Sequence, residues 1–119
     1  MKKVFYLKTC DTCKRILKQW NLPNTFLFQE IKENPITVKQ LEEMYKLAGS
    51  YEALFSKRAK LYKERDLKNQ SLTDRDYKML LLEHYTFLKR PVLVIDTQIF
   101  IGNSKKNVES ALKAISNES

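Results

Sequence analysis

The chain has 119 residues, of which 43% are hydrophobic and 30% charged, with only two glycines and three prolines. This composition excludes a disordered chain and supplies one packed core, so we expect a single domain over residues 1–119. No apolar run approaches the roughly 18 residues that span a bilayer, and residues 1–7 lack the apolar stretch of a signal peptide. We therefore expect a cytoplasmic protein with no membrane partner, most simply a monomer.

The formal net charge of +8 favours an anionic partner. A basic surface attracts phosphates, acidic proteins and oxyanions alike, so charge alone does not select among them. One local concentration of cations consists of Lys57, Arg58, Lys60, Lys63 and Arg65. Charge-rich segments of this kind are commonly solvated faces, and that interpretation stays open beside anion binding.

The first thirty or so residues predict a strand, a helix and a second strand. Residues 3–7 are β-branched and aromatic, which is typical of a buried strand. From Cys13 onward, apolar residues recur with helical spacing at Ile16, Leu17 and Trp20. Residues 21–24 end this helix, and residues 25–31 predict the second strand. Such a unit places its two strands parallel.

The middle of the chain, at about residues 37–88, is predicted to be a helical insertion. Residues 37–40 and 73–76 each have a capping-box pattern, so a helix is expected to begin at each. Gly49 is placed to end the first of these helices in a left-handed conformation. Residues 51–69 lie between the two helices and are rich in charge and weakly periodic.

The last third of the chain predicts two strands and a helix. Residues 92–95 form the most strand-like run, and a two-residue turn joins them to residues 98–101, as in an antiparallel hairpin. Ser104 is placed to cap a final helix. The order of elements predicts an α/β fold with a four-stranded mixed sheet flanked by helices.

Two cysteines, Cys10 and Cys13, lie at the predicted start of the first helix. They are too close in sequence to brace distant parts of a fold, so they indicate thiol chemistry. Unpaired N–H groups at the helix start, together with the nearby cations of Lys8, Lys14 and Arg15, favour a reactive thiolate at Cys10. Cys13 begins the apolar stripe, which suits a buried resolving thiol.

Two simpler interpretations stay open for this pair. Buried cysteines are often inert, and Cys13 fits that description better than Cys10 does. C-x-x-C is also half of a zinc site, but such a site needs four ligands. The chain has no other cysteine and one histidine, His84, on a predicted helical face. We therefore expect no metal and no bound cofactor.

Four landmarks in the sequence resemble the arsenate reductase (ArsC) and Spx family. They are Cys-Asp-Thr-Cys-Lys-Arg at 10–15, Ser-Lys-Arg-Ala-Lys-Leu-Tyr at 56–62, Lys-Arg-Pro at 89–91 and Ile-Gly at 101–102. The resemblance covers nearly the whole chain. It implies a thioredoxin-like fold with a helical insertion between the second and third strands. It also implies that Pro91 is the cis-proline that faces the reactive cysteine.

The resemblance to the reductases implies a site for an oxyanion. In those enzymes the cysteine matching Cys10 attacks the oxyanion, and glutathione and glutaredoxin resolve the adduct. Arg58 and Arg90 match positions of anion-binding arginines, whose planar fork suits a tetrahedral oxyanion. Lys14 is a further candidate for binding the anion or substrate. Either arginine is alternatively part of a solvated basic surface.

The chain departs from the reductases at two positions. Residues 101–104 lack the arginine that the reductases carry after the last strand, and Cys13 is a second cysteine that they usually lack. Cys13 is closer to the Spx-type regulators, which open and close a C-x-x-C disulfide.

Two functions from different classes are therefore open. One is a thiol-disulfide oxidoreductase or reductase, with Cys10 as nucleophile resolved by Cys13, or by glutathione with a thioredoxin or glutaredoxin partner. Its substrate would be a small oxyanion, a thiol or a disulfide. The other is an Spx-like redox sensor that binds the α subunit of RNA polymerase, which by resemblance would use the segment around Gly49.

Overall fold

The computed structural model of the chain describes residues 1–118. Within them lie four strands, β1 (Lys2–Tyr6), β2 (Leu27–Glu30), β3 (Val92–Ile95) and β4 (Gln98–Ile101). The α-helices there are α1 (Asp11–Trp20), α2 (Val38–Ala48), α3 (Lys60–Glu64), α4 (Asp74–Glu83) and α5 (Lys105–Ser116). Short 3₁₀ turns occupy Glu52–Leu54, Leu67–Asn69 and Tyr85–Phe87.

The chain divides into two compact units. The first unit consists of Met1–Asn34 and the chain from Arg90 onward, and it contains the sheet with α1 and α5. The second unit is Pro35–Lys89, and it contains α2, α3 and α4. The predicted four-stranded mixed sheet with flanking helices and a helical insertion after the second strand is thus confirmed.

The sheet has the strand order β2-β1-β3-β4. β1 and β2 are parallel, as predicted, whereas β3 is antiparallel to both β1 and β4. Tyr6 pairs with Glu30 and Phe5 pairs with Val92, so the ends of β1 and β2 meet the beginning of β3 at one end of the sheet. β2 is an edge strand, and its Leu27 and Phe28 side chains are exposed.

A hydrophobic core joins the sheet to α1 and α5. Its buried members are Val4, Ile16, Trp20, Phe26, Leu93, Ile95, Val108, Ala111 and Ile115. The helical spacing of the apolar residues in α1 is therefore explained by packing on the sheet, which stabilises the fold by about 1.5–3 kcal/mol for each large side chain. The indole N–H of Trp20 donates to the Val108 carbonyl at 3.1 Å, which links α1 to α5.

Capping boxes begin both long helices of the second unit, as the sequence predicts. At α2, the Thr37 hydroxyl accepts from the Gln40 N–H and the Gln40 side chain accepts from the Thr37 N–H, both at 3.1 Å. At α4, Thr73 and Asp76 form the same pair of bonds. Gly49 follows α2 with φ of 90°, the left-handed conformation that ends many helices.

An aromatic cluster forms the centre of the second unit. The buried Phe55 ring contacts Tyr62, Tyr77 and Phe87, with centroids 5.9, 4.9 and 5.1 Å away. This cluster explains how the weakly periodic residues 51–69 are held, since their short helical turns place single aromatic side chains rather than a continuous stripe.

The predicted placement of His84 on a helical face is wrong. α4 ends at Glu83, because His84 is extended, with φ of −149°. The His84 Nδ1 accepts from the Thr86 N–H at 3.2 Å and so begins the next turn. His84 is therefore a capping residue, and not a residue on a helical face.

Candidate functional site

Cys10 lies at the start of α1, and Leu7, Lys8 and Thr9 connect it to the end of β1. Its backbone is extended (φ −94°, ψ 111°), and its carbonyl accepts the Lys14 N–H at 3.0 Å, so it is the N-cap residue. The Cys10 N–H donates to the Leu7 carbonyl at 3.1 Å. Its half-buried side chain makes no capping hydrogen bond. The sulfur is thus carried at a helix start that favours negative charge.

Cys13 is fully buried beneath it, one turn into α1. Burial raises the pKa of the Cys13 thiol to about 11, and its hydrogen bond with Cys10 acts in the same direction. A backbone hydrogen bond from Leu7 and the positive charge of Arg90 oppose that rise. The Cys13 thiol therefore keeps its proton at neutral pH, and the two sulfurs are close enough to share a hydrogen bond.

Arg90 and Pro91 reach the same end of the sheet from β3. The Arg90–Pro91 peptide bond is cis, and the buried Pro91 carbonyl accepts the Gly102 N–H at 2.9 Å. The Phe5–Val92 register places Pro91 beside the end of β1. Arg90 is half-buried, with its Nε enclosed, and its charge acts on Cys13. The guanidinium therefore lies within electrostatic reach of the Cys13 thiol.

The other candidate cations differ in their surroundings. Lys14 is exposed on α1, in the same unit as the cysteines. Arg58 is exposed in the loop before α3 and belongs to the second unit. The first unit thus brings together Cys10, Cys13, Arg90 and Pro91, with Lys14 on the adjoining helix. Anion binding by the three cations stays a prediction.

The basic segment that contains Arg58 is partly neutralised within its own unit. Lys57 pairs with Glu52 at 2.7 Å, Lys60 with Glu64 at 3.8 Å, and Arg65 with Glu83. These pairs are exposed, which agrees with a solvated surface as one interpretation of the segment.

Glu30 lies near the cysteines, although no motif in the sequence indicates it. It ends β2, and its carboxylate accepts the backbone N–H of Lys8 at 2.9 Å, in the loop that leads to Cys10. Only the pairing of Tyr6 with Glu30 across two strands brings it there. A sequence pattern carries no local signal for such a contact.

In the part of the chain that the structure describes, no three His, Cys, Asp or Glu side chains group closely enough to hold a metal ion. Among residues 1–118, none of the helices is long and apolar enough to cross a membrane.

Comparisons with known proteins identify the family of this chain. The ArsC family model matches residues 5–111. The global transcriptional regulator Spx 2 of Bacillus anthracis is 25% identical over 108 residues, which cover 87% of this chain and 81% of the regulator. The structure of an arsenate reductase from Vibrio cholerae superposes with a TM-score of 0.72 and 21% identity, over 94% of this chain and 97% of that one. An arsenate reductase (ArsC) related protein from Brucella melitensis gives a TM-score of 0.69 and 20% identity, over 94% of each chain. The chain therefore belongs to the ArsC family and has its thioredoxin-like fold.

Proposed function

We propose that the chain is a thiol-based oxidoreductase, in which Cys10 is the nucleophile and Cys13 resolves the intermediate. The observation that carries this proposal is the pairing of a half-exposed Cys10 at a helix start with a buried, protonated Cys13 hydrogen-bonded to it. One sulfur meets the substrate, and the other is held back until the first has reacted.

The reaction is thiol-disulfide exchange in two steps. The Cys10 thiolate attacks one sulfur of a substrate disulfide, the S–S bond breaks, and the first substrate thiolate leaves. Cys13 then gives its proton to the departing group or to solvent and attacks the Cys10 sulfur, which releases the second substrate thiolate. The substrate gains two electrons, and the protein becomes an internal disulfide. Glutathione, or a thioredoxin or glutaredoxin partner, returns the two electrons.

An oxyanion is the second substrate class to test. Arg90 lies within electrostatic reach of the Cys13 thiol and carries the fork geometry suited to such an anion. Lys14 adds charge from α1, within the same unit. Residues 101–104 supply no arginine. The Gly102 N–H donates to the Pro91 carbonyl, so it is not available to an anion. Disulfide substrates are therefore the primary expectation and arsenate the secondary one.

Coupled turnover assays test the proposal. Reduced protein is given a glutathionylated peptide or, separately, arsenate, with glutathione, glutaredoxin and NADPH-linked recycling. We expect Cys10→Ser to abolish turnover, and Cys13→Ser to accumulate a mixed disulfide on Cys10 that only external thiol releases. Turnover of both substrates at the wild-type rate by Cys10→Ser contradicts the proposal.

An Spx-like regulator is the second candidate, favoured by the relatives that match in sequence. Gly49, at the end of α2, is exposed, and a Cβ added there would meet nothing within 4 Å. The surface around it is therefore open to a partner. In this function the dithiol and disulfide states would set the affinity for RNA polymerase.

A binding assay separates this candidate from the enzyme. The carboxy-terminal domain of the polymerase α chain is used as bait with oxidised and reduced protein. Gly49→Arg is compared with Gly49→Ala. Both variants place a Cβ at the left-handed φ of Gly49 and so carry the same backbone strain, but alanine adds little bulk. Binding that Gly49→Arg removes and Gly49→Ala retains supports the regulator, whereas no binding in either redox state contradicts it.

A further inference from the structure

Glu30 connects the turn after β2 to the loop that carries the nucleophile. Its Oε2 accepts the Lys8 N–H at 2.9 Å, and its Oε1 accepts the N–H groups of Lys32 and Glu33, both at 2.8 Å. One carboxylate thus satisfies three backbone donors. These hydrogen bonds lower the pKa of Glu30 despite the opposing effect of its partial burial, so the side chain is ionised at neutral pH.

The Lys8 N–H belongs to the peptide group that also holds Cys10. The carbonyl of that peptide is the Leu7 carbonyl, which accepts the Cys10 N–H at 3.1 Å. Since a peptide group is planar, fixing the direction of its N–H fixes the direction of its carbonyl. The Leu7 N–H, which belongs to the preceding peptide group, makes the backbone hydrogen bond to the Cys13 sulfur. The segment that Glu30 holds therefore contacts both cysteines.

We propose that Glu30 is a positioning residue for the cysteine pair. By orienting the Leu7–Lys8 peptide, it keeps the start of α1 in the geometry in which Cys13 can attack the Cys10 sulfur. The effect on disulfide closure rests on the proposed thiol function, whereas the effect on the backbone does not.

Glu33 provides a matched control for charge. It lies three residues further along and pairs with the Lys8 Nζ at 2.6 Å, and both side chains are mostly exposed. Such a pair contributes little to stability and orients no backbone group. Glu33→Gln and Glu30→Gln each remove one negative charge close to Lys8. Only Glu30→Gln changes a side chain that accepts backbone N–H groups. The substitution replaces one of its two acceptor oxygens by an NH₂ donor, because an amide has a single oxygen.

Amide hydrogen exchange of the reduced proteins tests the backbone part of the proposal. In Glu30→Gln we expect the Lys8 and Cys10 N–H groups to exchange about tenfold faster than in wild type, since a hydrogen bond to a charged acceptor is lost. In Glu33→Gln we expect both to stay within about twofold of wild type, as for an exposed ion pair. Equal exchange in the two variants overturns the proposal.

Closure of the disulfide tests the chemical part. Reduced protein is mixed with oxidised glutathione, quenched with acid, and analysed by mass. We expect Glu30→Gln to accumulate the Cys10–glutathione adduct and to close to the internal disulfide about tenfold or more slowly than Glu33→Gln, because misorientation of reacting groups is costly. Closure at the same rate in both variants overturns the positioning role.

Two further measurements separate a failure of the positioning role from a failure of the proposed function and from unfolding of the variant. If wild type forms no internal disulfide, the proposed function fails, and the exchange rates alone then decide whether Glu30 orders the segment. If Trp20 emission shows that Glu30→Gln is unfolded, Glu30→Asp replaces it, because this variant keeps the charge but shortens the reach by one methylene. Slow closure in Glu30→Asp supports the proposal, and closure at the wild-type rate overturns it.

Discussion

The two units of the chain are stabilised in different ways. In the first, parallel and antiparallel strands distant in sequence are joined side by side, and two helices cover one face of the sheet. In the second, helices begin at local capping boxes, and single aromatic rings gather on Phe55. The cysteine pair lies in the first unit. Its geometry therefore depends on long-range backbone pairing, whereas the second unit depends on local signals and one aromatic centre.

The largest expected effect tests whether the two units unfold together. Phe55→Ala empties the aromatic centre and should lower the free energy of unfolding by about 3–5 kcal/mol. The only tryptophan, Trp20, reports on the first unit. As the sequence predicts one domain, we expect the denaturant midpoint of Trp20 emission to fall together with that of far-ultraviolet circular dichroism.

Phe28→Ala is the control, because the same ring is exposed there and its loss should change stability by only about 0.5 kcal/mol. A Trp20 transition that Phe55→Ala leaves unmoved, beside a separate earlier transition in circular dichroism, would show that the units unfold independently.

The next effect contrasts the two cysteines within the first unit. With a pKa of about 11, Cys13 has a thiolate fraction about 300-fold smaller than an ordinary thiol at neutral pH. Cys10→Ser removes the contribution of Cys10 but keeps the burial of Cys13, which is the main cause of the raised pKa. We expect this variant to react with iodoacetamide at least about tenfold more slowly than a free cysteine, and its rate to rise with pH. Peptide mapping of the labelled protein measures this. Rapid labelling of Cys13 at neutral pH would mean that its burial is transient.

A smaller effect concerns the local signals of the second unit. Thr37→Ala removes the hydroxyl that accepts the Gln40 N–H and should cost about 1 kcal/mol. Thr37→Ser keeps that acceptor and should restore most of the loss. Chemical denaturation of the three proteins measures the difference. An equal loss in the serine variant would assign the effect to the methyl group and not to the cap.

The smallest effect is a pH dependence confined to one of the two caps. Hydrogen bonds from the Thr73 N–H, and then its hydroxyl, hold the pKa of Asp76 below its ordinary value of 3.8. A carboxyl with a lowered pKa stabilises the folded state above its unfolded pKa, and this contribution is lost as pH falls. We expect Asp76→Asn to lower Tm slightly at neutral pH, with a difference that shrinks below about pH 3.8. Gln40→Ala, in the neutral cap, should show a Tm decrease that does not depend on pH.

Local patterns in the sequence were sufficient to predict most of the elements. The β-branched run at Val92–Ile95, the cap at Thr37 and the left-handed end at Gly49 are decided by neighbours within a few residues. The placement of Cys10 at a helix start and the burial of Cys13 follow from the same kind of reasoning. Each of these was confirmed because the local preference and the tertiary structure agree.

The features that were missed depend on distant contacts. His84 was predicted to continue a helix, but its imidazole accepts a backbone N–H and starts a new turn. The short turns between residues 51 and 69 are held by contacts of aromatic rings with Phe55. The periodicity of the sequence does not indicate these contacts. Glu30 reaches the cysteine loop only through the register of β1 and β2. Such contacts are set by pairing and packing, so no single stretch of sequence reveals them.

The position of β2 at an edge of the sheet has a consequence for self-association. An edge strand has unpaired backbone donors and acceptors with which another extended chain can form hydrogen bonds. The exposed Leu27 and Phe28 side chains of β2 would add apolar contacts to such a pairing. Yet β2 is only four residues long, and the charged residues Lys32 and Glu33 follow its end. Another chain that paired with β2 could form only a few backbone hydrogen bonds, so we expect β2 to be a poor template for fibrillar aggregation.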